Sequence, residues 1–510
     1  SNLFKRANNL MFKVAFRVDG NKIIGFGHVY RCIVFAHYLK ENGFSPVFFC
    51  RYLHPVLKTK ITSDFCLVEL RSDNGLNLSR NGTYQDWLGI SEELDASEFI
   101  LASGKENFEF LIVDSYSLNQ AWQINVSKKI PKICVLDDLA NRLHSADFLI
   151  NPSFNAKSNS YKKFVPDNCL VLAGHKYALL DSSFSFSINF NKKYHLLINF
   201  GGADKDNYTK KVLLILKKVI LKHSLRIKII VGAGYEYLSQ LQEYKNKYSD
   251  NMTIVANTNE MAREVSECMF AVGAGGGSLL ERAALGVPSI VVSIAENQST
   301  MGLEYERLGA GFFIKEILSD KGKAKLVSSV LSCIDIKKIN RLSMVNRNII
   351  DAKGLDRIFS NLVRAFHLLY FEKAVNLDCQ FIFNCRYEKV NQFFYIDKNI
   401  PSYEEHTNWF KNSLLNCSIE HYIFKIGSKK IGYVRLDKKE EYYDLSIYIS
   451  PGYRGFGFAS FFLNKILEDF PTRQFSALVH MENKQSMKAF EKANFIVADT
   501  NYPFVNLRSK

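Results

Sequence analysis

Short apolar runs alternate with amphipathic helices twice along this chain, and that alternation leaves very few architectures open. In the first block, Lys13–Val18, Pro46–Cys50, Phe110–Asp114, Lys132–Leu136 and Phe148–Ile150 read as short buried strands. After the first of them, Val29, Cys32, Ile33 and Ala36 fall at i, i+3, i+4 and i+7 and so share one helical face. Strands that alternate with helices imply a parallel sheet covered on both faces. A Ser-, Asn- and Phe-rich stretch, Asp181–Lys193, reads as a linker, and the alternation then restarts. Leu196–Phe200, Arg226–Val231, Met269–Val272 and Ser289–Ile294 are its strands, with Leu280, Ala283, Ala284 and Val287 buried by one helix. Two such halves in succession predict a ligand-binding cleft between them.

Beyond Glu372 the pattern changes. Tyr422–Ile426, Lys430–Leu436 and Asp444–Ile449 read as paired strands, with Gly427-Ser428 as a turn, and a helix from Gly457 to Glu468 buries Ala459, Phe462, Leu463 and Ile466. The expected domains are therefore 1–185 and 186–371, each doubly wound α/β, and 372–510, an α+β domain. The last helix before the third domain is expected to pack back on the first.

Composition narrows the function classes. Of 510 residues 47% are hydrophobic and 23% charged, which excludes a largely disordered chain. No run approaches the ~20 apolar residues of a membrane span, and the polar start Ser1–Asn9 lacks the apolar core of a secretory signal. A cytoplasmic protein without membrane partners is expected. The net charge is +15, from 66 Lys and Arg against 51 Asp and Glu. The lysines are dispersed and no nucleic-acid recognition module is present, so the excess points to small anionic ligands rather than nucleic acid. The ten cysteines form no CxxC pair, and several, such as Cys32 and Cys134, lie in apolar runs. They are expected as reduced, buried thiols without zinc or disulfides. Oligomeric state is not legible.

Three segments carry chemistry. In Arg17-Val18-Asp19-Gly20 followed by Gly25-Phe26-Gly27-His28 a strand ends, glycines permit a tight turn, and a helix begins at His28. An imidazole there can serve as general base or simply cap the helix. In Gly275-Gly276-Gly277-Ser278, helix-opening amides can cradle a diphosphate and Ser278 adds a donor. Glu281, one turn on, can accept from both ribose hydroxyls; the alternative is that these glycines only allow close helix–strand packing. In Ile447–Ala459 a strand passes to a helix through Arg454-Gly455-Phe456-Gly457-Phe458-Ala459, another pyrophosphate-type turn.

The first segment resembles the signature of the UDP-2,4-diacetamido-2,4,6-trideoxy-β-L-altropyranose hydrolases of pseudaminic acid biosynthesis, which have the two-domain GT-B fold. The resemblance continues through Asp114-Ser115-Tyr116, Leu136-Asp137-Asp138, Asp147–Asn151, Gly174–Leu180, Phe200–Asp204 and Ser278–Gln298. Asp181 stands where Arg is common in that family and Ser115 where His is. The resemblance implies that His28, with Asp19 and Tyr116, is catalytic. It also implies that Arg17, Gly27, Gly201, Gly202, Gly277, Ser278, Glu281, Asn297 and Gln298 hold UDP and substrate. The Gly-x-x-Ser-x-x-Glu pattern followed by Gly286-Val287-Pro288 looks like the UDP site of GT-B enzymes generally, which need no metal; none is expected.

The third segment, with Asn483, Ser486 and Phe490–Phe495 downstream, resembles the GCN5-related N-acetyltransferases. It implies acetyl-CoA as co-substrate, held by Ile447, Ile449, Arg454, Gly455, Gly457, Phe458, Ala459, Asn483 and Ser486. Phe490 stands where many members carry a general-acid Tyr, and Asn494 where Gly is usual. Tyr448 and Glu441 are candidates for deprotonating the acceptor amine. Tyr403–Phe410 resembles the acceptor-side helix of sugar-amine acetyltransferases, with core packing the alternative for Trp409 and Phe410. The whole then reads as a GT-B hydrolase fused to an acetyltransferase acting on a UDP-amino-sugar. A GT-B glycosyltransferase joined to an acyltransferase and a non-catalytic nucleotide-sugar-binding protein are the alternatives.

Overall fold

The structure, a computed structural model, describes residues 12–71, 83–185, 191–248, 251–294, 296–389, 392–394 and 398–509. The expected linker lies partly outside them. The described residues divide into two compact units, one within Lys13–Glu41 and Ser45–Ile358, the other formed by Phe12, Asn42–Phe44 and the residues from Phe359 onward.

Two sheets build the first unit. The first has strands β1 (Phe12–Val18), β2 (Phe44–Cys50), β3 (Cys66–Glu69), β4 (Phe108–Asp114), β5 (Ile133–Leu136), β6 (Phe148–Asn151) and β7 (Leu170–Ala173), in the order β3-β2-β1-β4-β5-β6-β7. The second has β8 (Tyr194–Asn199), β9 (Ile227–Val231), β10 (Met252–Ala256), β11 (Cys268–Ala274), β12 (Ser289–Val292) and β13 (Phe312–Ile314), in the order β10-β9-β8-β11-β12-β13, every pairing parallel. Central strands such as β5, β6, β9 and β12 are buried along their whole length, as strands covered on both faces must be. The helix Gly354–Ala365 returns to the first half: a methyl at Gly354 would meet the Ala178 carbonyl at 2.1 Å, and Tyr38 donates to Asp356 at 2.6 Å.

The third sheet belongs to the second unit. Its strands are β14 (Leu369–Lys373), β15 (Ile419–Ile426), β16 (Lys429–Lys438), β17 (Tyr443–Ile449), β18 (Phe475–His480), β19 (Phe495–Asn501) and β20 (Phe504–Ser509), in the order β14-β15-β16-β17-β18-β20-β19. It opens at Leu369, slightly before the change of pattern at Glu372, because β14 pairs antiparallel with β15 from Leu369 to Lys373. Among the described residues its pairings are antiparallel except β17 with β18, which run parallel and pair only at Tyr443–Phe475 and Asp444–Ser476. Beyond Asp444 the two strands part, and the helix Phe458–Asp469 starts from the open end of β17 through its turn.

One buried ion network fixes the end of β1. Arg17, fully enclosed, donates to both oxygens of Asp95 at 3.1 and 2.8 Å and to Asp19 at 2.7 Å, while Arg51 and the Trp122 indole also donate to Asp95. Burial pushes the Asp95 carboxyl up, but Arg17 and Arg51 outweigh it and hold it below its ordinary value. Its stabilisation is therefore complete above the ordinary carboxylate range and is lost as pH falls through the folded value. Asp95→Ala should cost about 3–5 kcal/mol at neutral pH, because two buried cations lose their partner. Denaturant unfolding at pH 7 and pH 3 checks this: the difference between wild type and variant should shrink at the lower pH.

Candidate functional site

At the carboxyl end of the first sheet, β1 and β4 deliver Asp19 and Asp114 beside the helix Gly27–Glu41. The pocket there is lined by Asp19, Ile24, His28, Trp87, Asp114, Ser115, Tyr116 and Ser117. His28 Nδ1 lies 2.6 Å from Asp114 Oδ1. Arg31, one turn along, donates to both Asp114 oxygens at 2.6 and 2.7 Å and to Asp138 at 2.6 Å, and Tyr116 donates to Asp138 at 2.8 Å. Burial would raise the Asp114 carboxyl, but Arg31 and then His28 hold it far below its usual range. A carboxylate that stays ionised accepts only, so the hydrogen sits on Nδ1 and Nε2 keeps its lone pair. The Tyr116 ring packs edge-on against His28 at 4.6 Å, and burial and Asp138 push its hydroxyl well up, so it remains a neutral donor.

The expected residues separate by position. His28, Tyr116 and Asp19 line one pocket, but Asp19 already accepts from Arg17 and from the amides of Arg51 and Tyr52 at 2.6 and 3.0 Å. Arg17 is completely enclosed and donates to Asp19 and Asp95. Asp114, Arg31 and Asp138 were not singled out as site residues. Distance along the chain hides Asp114 and Asp138, although an acidic residue closing an apolar strand was a usable signal, and Arg31, one turn after His28, shows its role only through these two carboxylates.

In the second half, the turn after β11 opens the helix Gly277–Ala284. Packing demands glycine at Gly273, where a methyl would meet the Asn199 carbonyl at 2.1 Å. At Gly277 nothing lies within 4 Å, so there the missing side chain leaves open space at a helix N-terminus. Gln298 reaches this turn and accepts from the Gly275 amide at 3.1 Å; the Asn297 side chain lies outside the described residues. The Glu281 side chain makes no hydrogen bond among the described residues, and burial pushes its carboxyl up. Arg282 behind it is 1% exposed; it donates to Ala274 and Ser289, Nη1 has no partner, and burial brings it down to about 10. The Gly201–Gly202 turn abuts the first half, with the Phe26 ring 3.4 Å from where a methyl on Gly202 would sit.

In the second unit the left-handed φ values of Gly455 (83°) and Gly457 (79°) shape the turn before the helix Phe458–Asp469. Arg454 donates to the Ile449 carbonyl at 2.8 Å and to Glu388 at 2.5 Å. Ile447 and Ile449 lie on β17 beyond its last pairing with β18. Asn483 caps the helix Lys484–Lys492 by accepting from the Ser486 amide at 3.0 Å, so this expected pair is linked to itself. Phe490 is buried against Phe495. Of the two candidate bases, Glu441 is exposed, and Tyr448 donates to Glu388 at 2.9 Å, its hydroxyl pushed up by burial. Glu388, missed in the sequence, ties Tyr448 to Arg454. Phe410 is core, whereas Trp409 lies between the guanidinium groups of Arg386 and Arg435 at 5.0 and 5.1 Å.

Residues 385–495 match the acetyltransferase (GNAT) family. An acetyltransferase-type domain therefore closes the described chain. The first two sheets form a GT-B fold: Phytolacca americana UGT2, solved with UDP-2fluoro-glucose and pterostilbene, covers 70% of this chain over 100% of its own length at 11% identity, with a TM-score of 0.53. Among curated proteins, the UDP-2,4-diacetamido-2,4,6-trideoxy-beta-L-altropyranose hydrolase of Campylobacter jejuni is 28% identical over 259 residues, 50% of this chain and 82% of the relative. An uncharacterized protein of Methanocaldococcus jannaschii is 23% identical over 461 residues, 84% of this chain and 85% of its own, so both parts recur together there. Among the described residues no helix is long and apolar enough to cross a membrane, no His, Cys, Asp and Glu cluster could hold a metal ion, and all ten cysteines are free, Cys66 and Cys417 exposed.

If the Gly277 turn holds a nucleotide, Glu281→Ala should weaken UDP binding by about 1–3 kcal/mol, the cost of leaving buried polar groups unpaired. Calorimetry reads this directly, and an unchanged affinity would remove Glu281 from the site.

Proposed function

We propose that this chain is a bifunctional nucleotide-sugar enzyme of pseudaminic acid biosynthesis. Its acetyltransferase domain acetylates the 4-amino group of UDP-4-amino-4,6-dideoxy-N-acetyl-β-L-altrosamine. Its GT-B part hydrolyses the product, UDP-2,4-diacetamido-2,4,6-trideoxy-β-L-altropyranose, to the free sugar and UDP. The Campylobacter relative and the acetyltransferase family match support the two halves. The observation that carries the hydrolase is the His28–Asp114 pair in a pocket at the carboxyl edge of a parallel sheet.

In this reading His28 Nε2 takes a proton from water as the water oxygen bonds to C1 from the face opposite the nucleotide. The C1–O bond breaks, its electron pair leaves with UDP, and the anomeric centre inverts. Asp114 holds the tautomer and stabilises the imidazolium that forms. The leaving diphosphate lies against the amides and dipole of the Gly277–Ala284 helix, with no metal called for, and Glu281 holds the ribose. In the second unit the acceptor amine nitrogen bonds to the acetyl carbonyl carbon of acetyl-CoA, the C–S bond breaks, and CoA leaves with the electron pair as its thiolate. Gly455 and Gly457 shape the turn for its pyrophosphate, and the Tyr448–Glu388 pair accepts the proton of the acceptor amine.

His28→Ala should slow release of UDP by roughly 10²–10⁴-fold, the usual contribution of a general base, with UDP affinity preserved. Product analysis with no added sugar or lipid acceptor is the accompanying control. A variant within twofold of wild type, or wild-type turnover only when an acceptor is supplied, would sink the hydrolase reading. Gly457→Val places a side chain on the pyrophosphate turn and should abolish acetyl transfer. Hydrolysis of an already acetylated UDP-sugar should survive in that variant, and its loss would mean that the two activities share a site.

A further inference from the structure

We propose that Arg364, on the helix Gly354–Ala365 ahead of the third sheet, binds a phosphate of acyl-CoA at the Arg454–Ala459 turn. The inference rests on the acyl-CoA reading above and adds to it a residue outside the segment that matches the acetyltransferase family, 385–495.

Its geometry is specific. Arg364 Nη2 donates to the Phe456 carbonyl inside the turn, and the guanidinium carbon lies 5.6 Å from the centre of the Phe458 ring. A methyl built on Gly457 would stand 3.6 and 3.7 Å from Nη2 and Nη1, with the turn otherwise open there. The side chain is therefore laid along the glycine side of the turn, where amides become available to a ligand.

Its charge is uncompensated. Arg454, which opens the turn, is paired with Glu388, whereas Arg364 has no carboxylate partner among the described residues. Its Nε is enclosed without any hydrogen-bond partner, and burial alone lowers its pKa. A guanidinium stripped of water and left unpaired is costly. Chains keep one where a ligand supplies the missing charge, and a phosphate matches the guanidinium fork. The turn that Arg364 touches is already the segment read as a pyrophosphate site. No second cation is needed to fold it, since Gly455 and Gly457 set its path and Arg454 anchors it to β17.

The test uses the full chain and CoA as probe. Arg364→Gln keeps a donor for the Phe456 carbonyl but removes the charge, and Arg364→Lys keeps the charge but not the fork. The glutamine variant should bind CoA about 10–100-fold more weakly, the range for a lost charge-assisted hydrogen bond, with its melting temperature and its hydrolysis of acetylated UDP-sugar in place. The lysine variant should recover part of that loss. CoA binding by the glutamine variant within twofold of wild type overturns the assignment. Should the glutamine variant not fold, the lysine variant decides: weaker CoA binding sustains the role and unchanged binding overturns it. Wild-type protein that fails to bind CoA would instead defeat the acyl-CoA reading itself.

Discussion

Asp114 must stay ionised inside the protein, and the first site is organised around that requirement. The carboxylate is 1% exposed, so water cannot solvate it. Arg31 takes both of its oxygens, and the imidazole of His28 and the thiol of Cys32 add one contact each. Arg31 is held in turn by Asp138, which accepts from Tyr116, which packs on His28. The chain of contacts closes on the imidazole where it began. Every member except Asp138 and Tyr116 sits on β4 or on the first turns of the helix Gly27–Glu41, so the placement of the base follows from β1 pairing with β4.

A parallel sheet gives this arrangement its address. All strands of a doubly wound half point their carboxyl ends to one edge, so acidic residues that close β1 and β4 arrive beside the helix that follows β1. The second half repeats the device with a different ending. β11 closes in glycines rather than carboxylates, and its helix opens with amides exposed where the first half presents an imidazole. In the proposed reading the same architecture offers a proton acceptor from one sheet and an anion cradle from the other.

The sequence was most legible where burial was complete. β5 reads as an unbroken apolar run, and β4, β6, β9 and β12 are apolar but for Glu109 and Asp114, Asn151, Lys228 and Ser289 respectively. β3, β7 and β10 were not picked out although their residues are mostly apolar: each lies at the edge of its sheet and is only partly buried. β19 is exposed along nearly its whole length and was hidden for the same reason. In the sites, residues next to glycine turns were legible because turn chemistry is local. Asp114, Glu388 and Arg364 were not: each acts through a partner dozens of residues away, and nothing near it in the chain marks the encounter. Asn494 is an instructive departure. It adopts φ of 62°, the left-handed conformation for which glycine is usual, and Asn is among the few other residues that tolerate it.

Arg282 has a bearing on how the second half behaves toward dissolved salt. Mobile ions weaken a field only where they can enter, and at physiological ionic strength they largely screen the influence of exposed lysines beyond about 8 Å. A cation that is 1% exposed beneath the glycine turn lies out of their reach. Its pull on any anion seated at the Gly277 helix should persist in concentrated buffer, while the dispersed surface charge that speeds the encounter fades. Capture would then slow as salt rises, and the hold, once made, would remain.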